Sequence, residues 1–144
     1  MASYNKYNTF VGDLTGKVHD LLGTAGSTSD TCKLMLSNTA PNAATHTVRG
    51  DSTEISAGNG YSAGGTTLTN VGTNTTGTFT LAGTDVVWTA TGSVGPFRYV
   101  INYNDTPTSP ADPLISWWDY GSNLQLANGE TFTVDLGASV FTLA

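Results

Sequence analysis

From Thr31 onward the sequence keeps returning to bursts of about four to eight residues that mix apolar and β-branched side chains, each closed by glycine, proline, asparagine or aspartate. In Thr78-Phe79-Thr80-Leu81 and Thr131-Phe132-Thr133-Val134-Asp135-Leu136 the alternation has a strict period of two, the mark of a strand with one buried face. Similar bursts at 31–37, 45–49, 66–71, 84–91, 97–103, 114–120, 122–126 and 139–143 bring the expected total to about ten short strands. Twenty-five threonines suit the solvent faces of such strands, because a β-branched polar side chain fits a pleated surface. Gly58-Asn59-Gly60, Gly64-Gly65 and Ala82-Gly83-Thr84 supply turns, the biased stretch Gly64–Gly77 reads as a surface strand pair, and Asn128-Gly129 predicts a hairpin. Asn104–Pro113, with three prolines, predicts an exposed loop. The expected fold is all-β: an antiparallel two-sheet sandwich of jelly-roll type over residues 24–144, with a partly open barrel as the alternative.

The first residues follow another period. Tyr4, Tyr7, Val11, Leu14, Val18 and Leu21 are spaced three and four apart, one face of a helix, with Ser3 as a possible N-cap and Gly23 as a stop. Gly12 and Gly16 each cost about 1 kcal/mol relative to alanine in a helix interior, so the segment needs a surface to pack on. Residues 1–23 are therefore expected to form an amphipathic N-terminal arm lying on its own body or on another subunit.

At 144 residues, surface scaling allows about two-thirds of the chain's surface to be buried, enough for one core. A net charge of −6, with Lys6, Lys17, Lys33, Arg49 and Arg98 dispersed, argues against nucleic acid or an anionic membrane as partner. Residues 2–22 do not read as a secretion signal, and no apolar run reaches the ~20 residues of a membrane span. A single cysteine, Cys32, flanked by Leu34 and Leu36 on an inward face, reads as a buried structural thiol in a reducing cytosol.

Catalytic patterns are weak. His19 falls beside Asp20 on the polar side of the arm and reads as a solvated or capping residue; His46 alternates with threonines as a surface strand residue. Asp105, Asp112, Asp119 and Glu130 offer carboxylates without a spacing that specifies acid–base chemistry. Asn74-Thr75-Thr76 and Asn104-Asp105-Thr106 match the glycosylation pattern and read as turns. The aromatic residues carry more. Leu114-Ile115-Ser116-Trp117-Trp118-Asp119-Tyr120 sets large apolar groups on both faces of one strand. One face fills the core, and the other is covered by the N-terminal segment or a long loop, by a second subunit, or by a sugar.

Tyr4-Asn5-Lys6-Tyr7-Asn8-Thr9-Phe10-Val11-Gly12-Asp13-Leu14, Leu34–Pro41, Glu54–Gly65, Gly95-Pro96-Phe97-Arg98-Tyr99, Ile115–Gly121 and Gly129–Asp135 together resemble a family of small tailed-bacteriophage proteins, along nearly the whole chain. That family is similar to virion proteins that bind the outside of the capsid, called cement or decoration proteins. The resemblance implies a β-sandwich made in the bacterial cytoplasm, assembled as a homotrimer on the outer surface of the capsid, with the major capsid protein as partner. Its role would be to clamp the expanded shell against internal DNA pressure. It implies no catalytic residue, no cofactor and no metal. The alternatives are a tail, fibre or adaptor component, or a carbohydrate-binding host-recognition module. On this reading Tyr4, Tyr7, Val11, Leu14 and Val18 pack on a neighbouring subunit or the shell, Trp117, Trp118 and Tyr120 support the core or a self-interface, and deleting residues 2–22 leaves the body folded.

Overall fold

Two long strands organise the protein: β7 (Val94–Asn104) and β8 (Leu114–Leu126) pair antiparallel. The structure, a computed structural model, describes residues 2–23 and 29–144. β1 (Ser3–Lys6) pairs with β8, while β2 (Cys32–Ser37) pairs with β7 and with β3 (Thr66–Leu68), giving a five-stranded sheet in the order β1-β8-β7-β2-β3. A second sheet runs β10-β5-β4, from Phe141–Leu143, Thr78–Gly83 and Asn70–Thr75; a third pairs β6 (Val86–Thr89) with β9 (Thr131–Val134). Every pairing is antiparallel.

All three sheets feed one main core, which includes Leu34, Leu36, Leu81, Trp88, Phe97, Val100, Ile115 and Phe141. A smaller cluster of Tyr7, Met35, Ile101, Tyr103 and Leu114 lies apart from it, with Trp117 packed against it. In β8 the two clusters take Leu114 with Trp117 and Ile115 with Trp118, a spacing of three that strict alternation forbids. The cause is the irregularity opposite Asn102 and Tyr103, where β8 holds one extra residue and its faces exchange. The smaller cluster is covered by Tyr7 and by the long connection between β2 and β3: the Tyr103 hydroxyl donates to Gly64 O at 2.7 Å, and the Arg49 guanidinium lies 5.5 Å from the Tyr103 ring centre. The apolar second face of β8 is thus covered within the chain at Trp117, whose ring is 4.6 Å from that of Tyr7.

The N-terminus differs from its expected form. Ser3, expected as an N-cap, begins a strand, and the only α-helix among the described residues, α1, spans Thr9–Thr15 between Asn8 and Gly16. Helix propensity is low around Gly12 and Gly16, whereas β8 has an edge to which Ser3–Lys6 can add ladder bonds. Tyr7 and Phe10 are 0% and 1% exposed, so the boundary expected at residue 23 cuts through buried packing rather than setting off a detachable arm.

Other segments also depart from expectation. Residues 45–49 form no strand beyond an isolated bridge, Val48 to Pro113, and run into a short 3-10 helix at Arg49–Asp51, while 66–71 divides at Thr69 between two sheets. Residues 114–126 are one strand, whose pairing with β7 is irregular between Asp119 and Leu124, where Gly121 takes φ 96°. The turn at Asn128-Gly129 makes no hairpin, because Ala90 exchanges backbone bonds with Gly129 and Glu130 and draws β9 to β6. The two-residue hairpin is instead at Thr76-Gly77, both with positive φ, joining β4 to β5. Asn104, expected in a turn, is the buried end of β7, and Asn74 lies in β4. Cys32 is fully buried, and burial pushes its thiol up to about 12.

Candidate functional site

β1 and β9 each lie at the edge of a sheet, and between them the main core opens to solvent as an apolar cleft of about 610 Å³. Tyr4 from β1, Trp118 and Tyr120 from β8, Phe132 and Val134 from β9, and Leu136 beyond it supply most of its wall. Alternation explains the membership: Tyr4 stands opposite Trp118, which stands opposite Val100, so all three share the core-side face. Tyr4 and Trp118 meet edge to face at 5.9 Å, and Tyr120 meets Phe132 in the same way at 6.1 Å. Tyr4 and Tyr120 remain 37% and 52% exposed, forming two aromatic lips. Desolvation pushes the Tyr4 phenol up to about 12, against a smaller lowering by Ser116, so it is a neutral hydroxyl across the working pH range.

Tyr120 is aimed by its neighbour. Asp119 takes two bonds from Arg98, at 2.7 and 2.9 Å, and a third from the backbone N–H of Gly121 at 2.8 Å, clamping the strand where its pairing with β7 is irregular. The Arg98 hydrogen bonds hold the Asp119 carboxyl below its ordinary value. Among the described residues Asp135 is the one charged residue lining the cleft, and Tyr120 also lines a neighbouring polar trough beside Ser3, Asn5 and Asp119.

The expected interface residues therefore divide. Tyr4, Trp118 and Tyr120 come together at the cleft, while Tyr7 and Trp117 sit on the other side of the sheet, Tyr7 out of reach of any partner. Val11 is 48% exposed on α1, Leu14 packs on the core, and Val18 is half-buried beyond the helix. Phe132, Val134 and Leu136 also line the cleft, without having been expected there. Their alternation was visible, but nothing local showed that their face opposes Tyr4.

The candidate carboxylates away from the cleft are engaged internally. Glu54 accepts from Tyr61 at 2.7 Å, Gly64 N at 2.6 Å and Arg49 at 2.9 Å, fastening the long loop to β2 through Tyr61, whose oxygen accepts from Leu36 N. Asp112 lies 3.5 Å from Arg49, Asp105 2.8 Å from Lys33, and Glu130 accepts from Ala127 N at 2.7 Å. His19, expected as a solvated or capping residue, is 7% exposed, because the helix ends before it and Asn104 donates to its Nδ1 at 3.0 Å. His46 is half-buried in a loop, near Asn42 and Ser52. Among the described residues no group of three or more His, Cys, Asp or Glu is placed to hold a metal ion, and no helix is long and apolar enough to cross a membrane. No family model, no curated protein and no solved structure matches the chain.

Proposed function

We propose that this chain is a non-enzymatic structural protein of a bacteriophage virion that binds the outside of the capsid through the cleft between β1 and β9 and stabilises the expanded shell. In this reading the sheets are the layers of a jelly-roll-type sandwich, the protein acts as a homotrimer, and its partner is the major capsid protein. The observation that carries it is an open apolar cleft with aromatic lips, in a protein whose candidate catalytic carboxylates are held in ion pairs and turns. The sequence resemblance supplies the capsid as the surface to which such a cleft is applied.

The magnitude favours many copies. If an aromatic side chain presents about 200 Å², the 37% of Tyr4 and 52% of Tyr120 left exposed come to roughly 180 Å². At ~25 cal/mol/Å² that is about 4–5 kcal/mol gross, no more than the low end of the ~4–15 kcal/mol cost of association. One cleft holds weakly; a trimer engaging three equivalent sites holds well, because the later contacts are intramolecular.

The test mixes the purified chain with expanded, undecorated heads, sediments them and counts bound copies per capsid subunit. Saturable binding at a fixed ratio, with a higher rupture temperature and loss on Tyr120→Lys, is expected. Absence from heads with recovery on tails or fibres would refute the capsid assignment. Saturable glycan binding quenched at Trp118, without head binding, would replace it with host recognition.

A further inference from the structure

We infer that the cleft recognises its partner by strand addition: it takes an extended segment of another protein, apolar at alternate positions and basic near Asp135, which pairs with the free edge of β1. This rests on the cleft being the docking surface proposed above, and it names what that surface reads.

The first ground is the edge itself. The backbone N–H of Tyr7 donates to Ile115 O, and β1 runs in register with β8 from Lys6 opposite Ser116 to Ser3 opposite Asp119. In an antiparallel ladder the inward-bonding residues alternate, so Tyr7, Asn5 and Ser3 bond to β8 and the backbone groups of Tyr4 and Lys6 face away from it. β9, across the cleft, pairs with β6 and with no other strand among the described residues. An apolar trough flanked by unpaired sheet edges fits a peptide backbone, whose N–H and C=O groups need partners, better than it fits a lipid chain, which has none to offer.

The second ground is chemistry. A strand laid along β1 points alternate side chains into the cleft, against Trp118, Phe132 and Leu136, and the others to solvent, which requires an apolar–polar alternation. Asp135 is the one charged lining residue among those described, and Asp85, whose carboxylate accepts from Leu136 N at 2.9 Å, adds a second acid nearby, so a basic side chain is favoured at that end.

The third ground weighs against β4, β6 or β10 of a second copy as donor. The large apolar side chains exposed on the other described strands stand singly: Val71 on β4, Val87 on β6 and Leu143 on β10. None of these described strands presents an outward row that could fill the cleft, and the acid at its end calls for a basic partner, so the segment is assigned to a different chain.

The probe is an acetylated, amidated heptapeptide alternating valine and threonine and ending in lysine, with a twin methylated on its backbone nitrogens at every second residue. The twin has more apolar surface and fewer donors. Titrations of the full chain follow tryptophan emission and amide hydrogen exchange. Saturable binding of the first peptide, slowed exchange at Tyr4 and Lys6, and binding of the twin weaker by about tenfold or more are expected. Tyr120→Lys, checked for an unchanged unfolding midpoint, should lose the binding. Equal binding of both peptides, no binding of either, preferential binding of dodecanoate, or a self-association abolished by Tyr120→Lys would each overturn the inference. Heads that reject Tyr120→Lys while the peptide fails to bind would overturn strand addition and keep the docking surface. Heads that bind Tyr120→Lys like the parent while the peptide binds would keep strand addition and overturn the capsid assignment.

Discussion

Replacing Phe10 by alanine tests whether the N-terminal segment belongs to the core or merely rests on it. Phe10 is 1% exposed, with its ring 5.3 Å from Phe141 and 5.2 Å from His19. Truncating so buried an aromatic costs about 3–5 kcal/mol through lost transfer energy and the cavity left behind. Against a total stability of about 5–15 kcal/mol that is a large fraction, and at ~3 °C per kcal/mol for a domain of this size the melting temperature should fall by about 10–15 °C. Point substitution is cleaner than truncation, because removing residues 2–22 also removes the entropy cost of ordering them, about 1–2 kcal/mol each. Even so, truncation takes away Tyr7, Phe10 and β1 together and should abolish cooperative unfolding, the opposite of a detachable arm. The assay is urea unfolding followed by tryptophan fluorescence, with Val11→Ala, at a half-exposed position, as a control expected to stay within ~0.5 kcal/mol of the parent. A Phe10→Ala cost under about 1 kcal/mol, or a truncated chain with the parental midpoint, would refute the argument.

Three further outcomes are expected. Burial holds the His19 pKa below 6.5, against smaller raising effects of Asp13 and Asp30, so the unfolded chain binds the proton first as pH falls. The contribution is therefore complete above pH 6.5 and is lost as pH drops from there through the folded value; urea midpoints from pH 8 to 5 should fall more steeply in the parent than in His19→Gln, and parallel curves would remove His19 as the cause. Cys32, fully buried with its thiol pushed up to about 12, should resist a thiol-reactive dye at pH 8 until urea unfolds the chain; rapid labelling of native protein would contradict its burial. Gly72→Ala would drive a Cβ into the backbone carbonyl of Leu21 at an ordinary φ, costing about 1–3 kcal/mol by overpacking, and an unchanged denaturation midpoint would show that the crossing chain yields freely.

What could be read from the sequence was local. Thr78–Leu81 and Thr131–Val134 are strands because period two is a property of neighbouring residues, and Cys32 is buried because Leu34 and Leu36 share its face. The spacing of Tyr4, Tyr7 and Val11 marked a segment that buries some of its apolar groups, Tyr7 among them, while Tyr4 and Val11 stay exposed; a spacing of three and four does not choose between a long helix and a strand followed by a short one. The free edge of β8, more than a hundred residues away in sequence, made that choice. The same is true of Asn128-Gly129, whose turn is shared with Ala90, and of Leu114–Trp118, where an extra residue in β8 exchanges its faces. The cleft is the most distant of these consequences. Local pattern marked Tyr4, Trp118 and Phe132 as side chains in need of cover, by helical spacing, by an apolar run and by alternation respectively; which of them face one another, and where that cover is incomplete, depends on pairing between sheet edges that are remote along the chain, and only the folded structure brings those together.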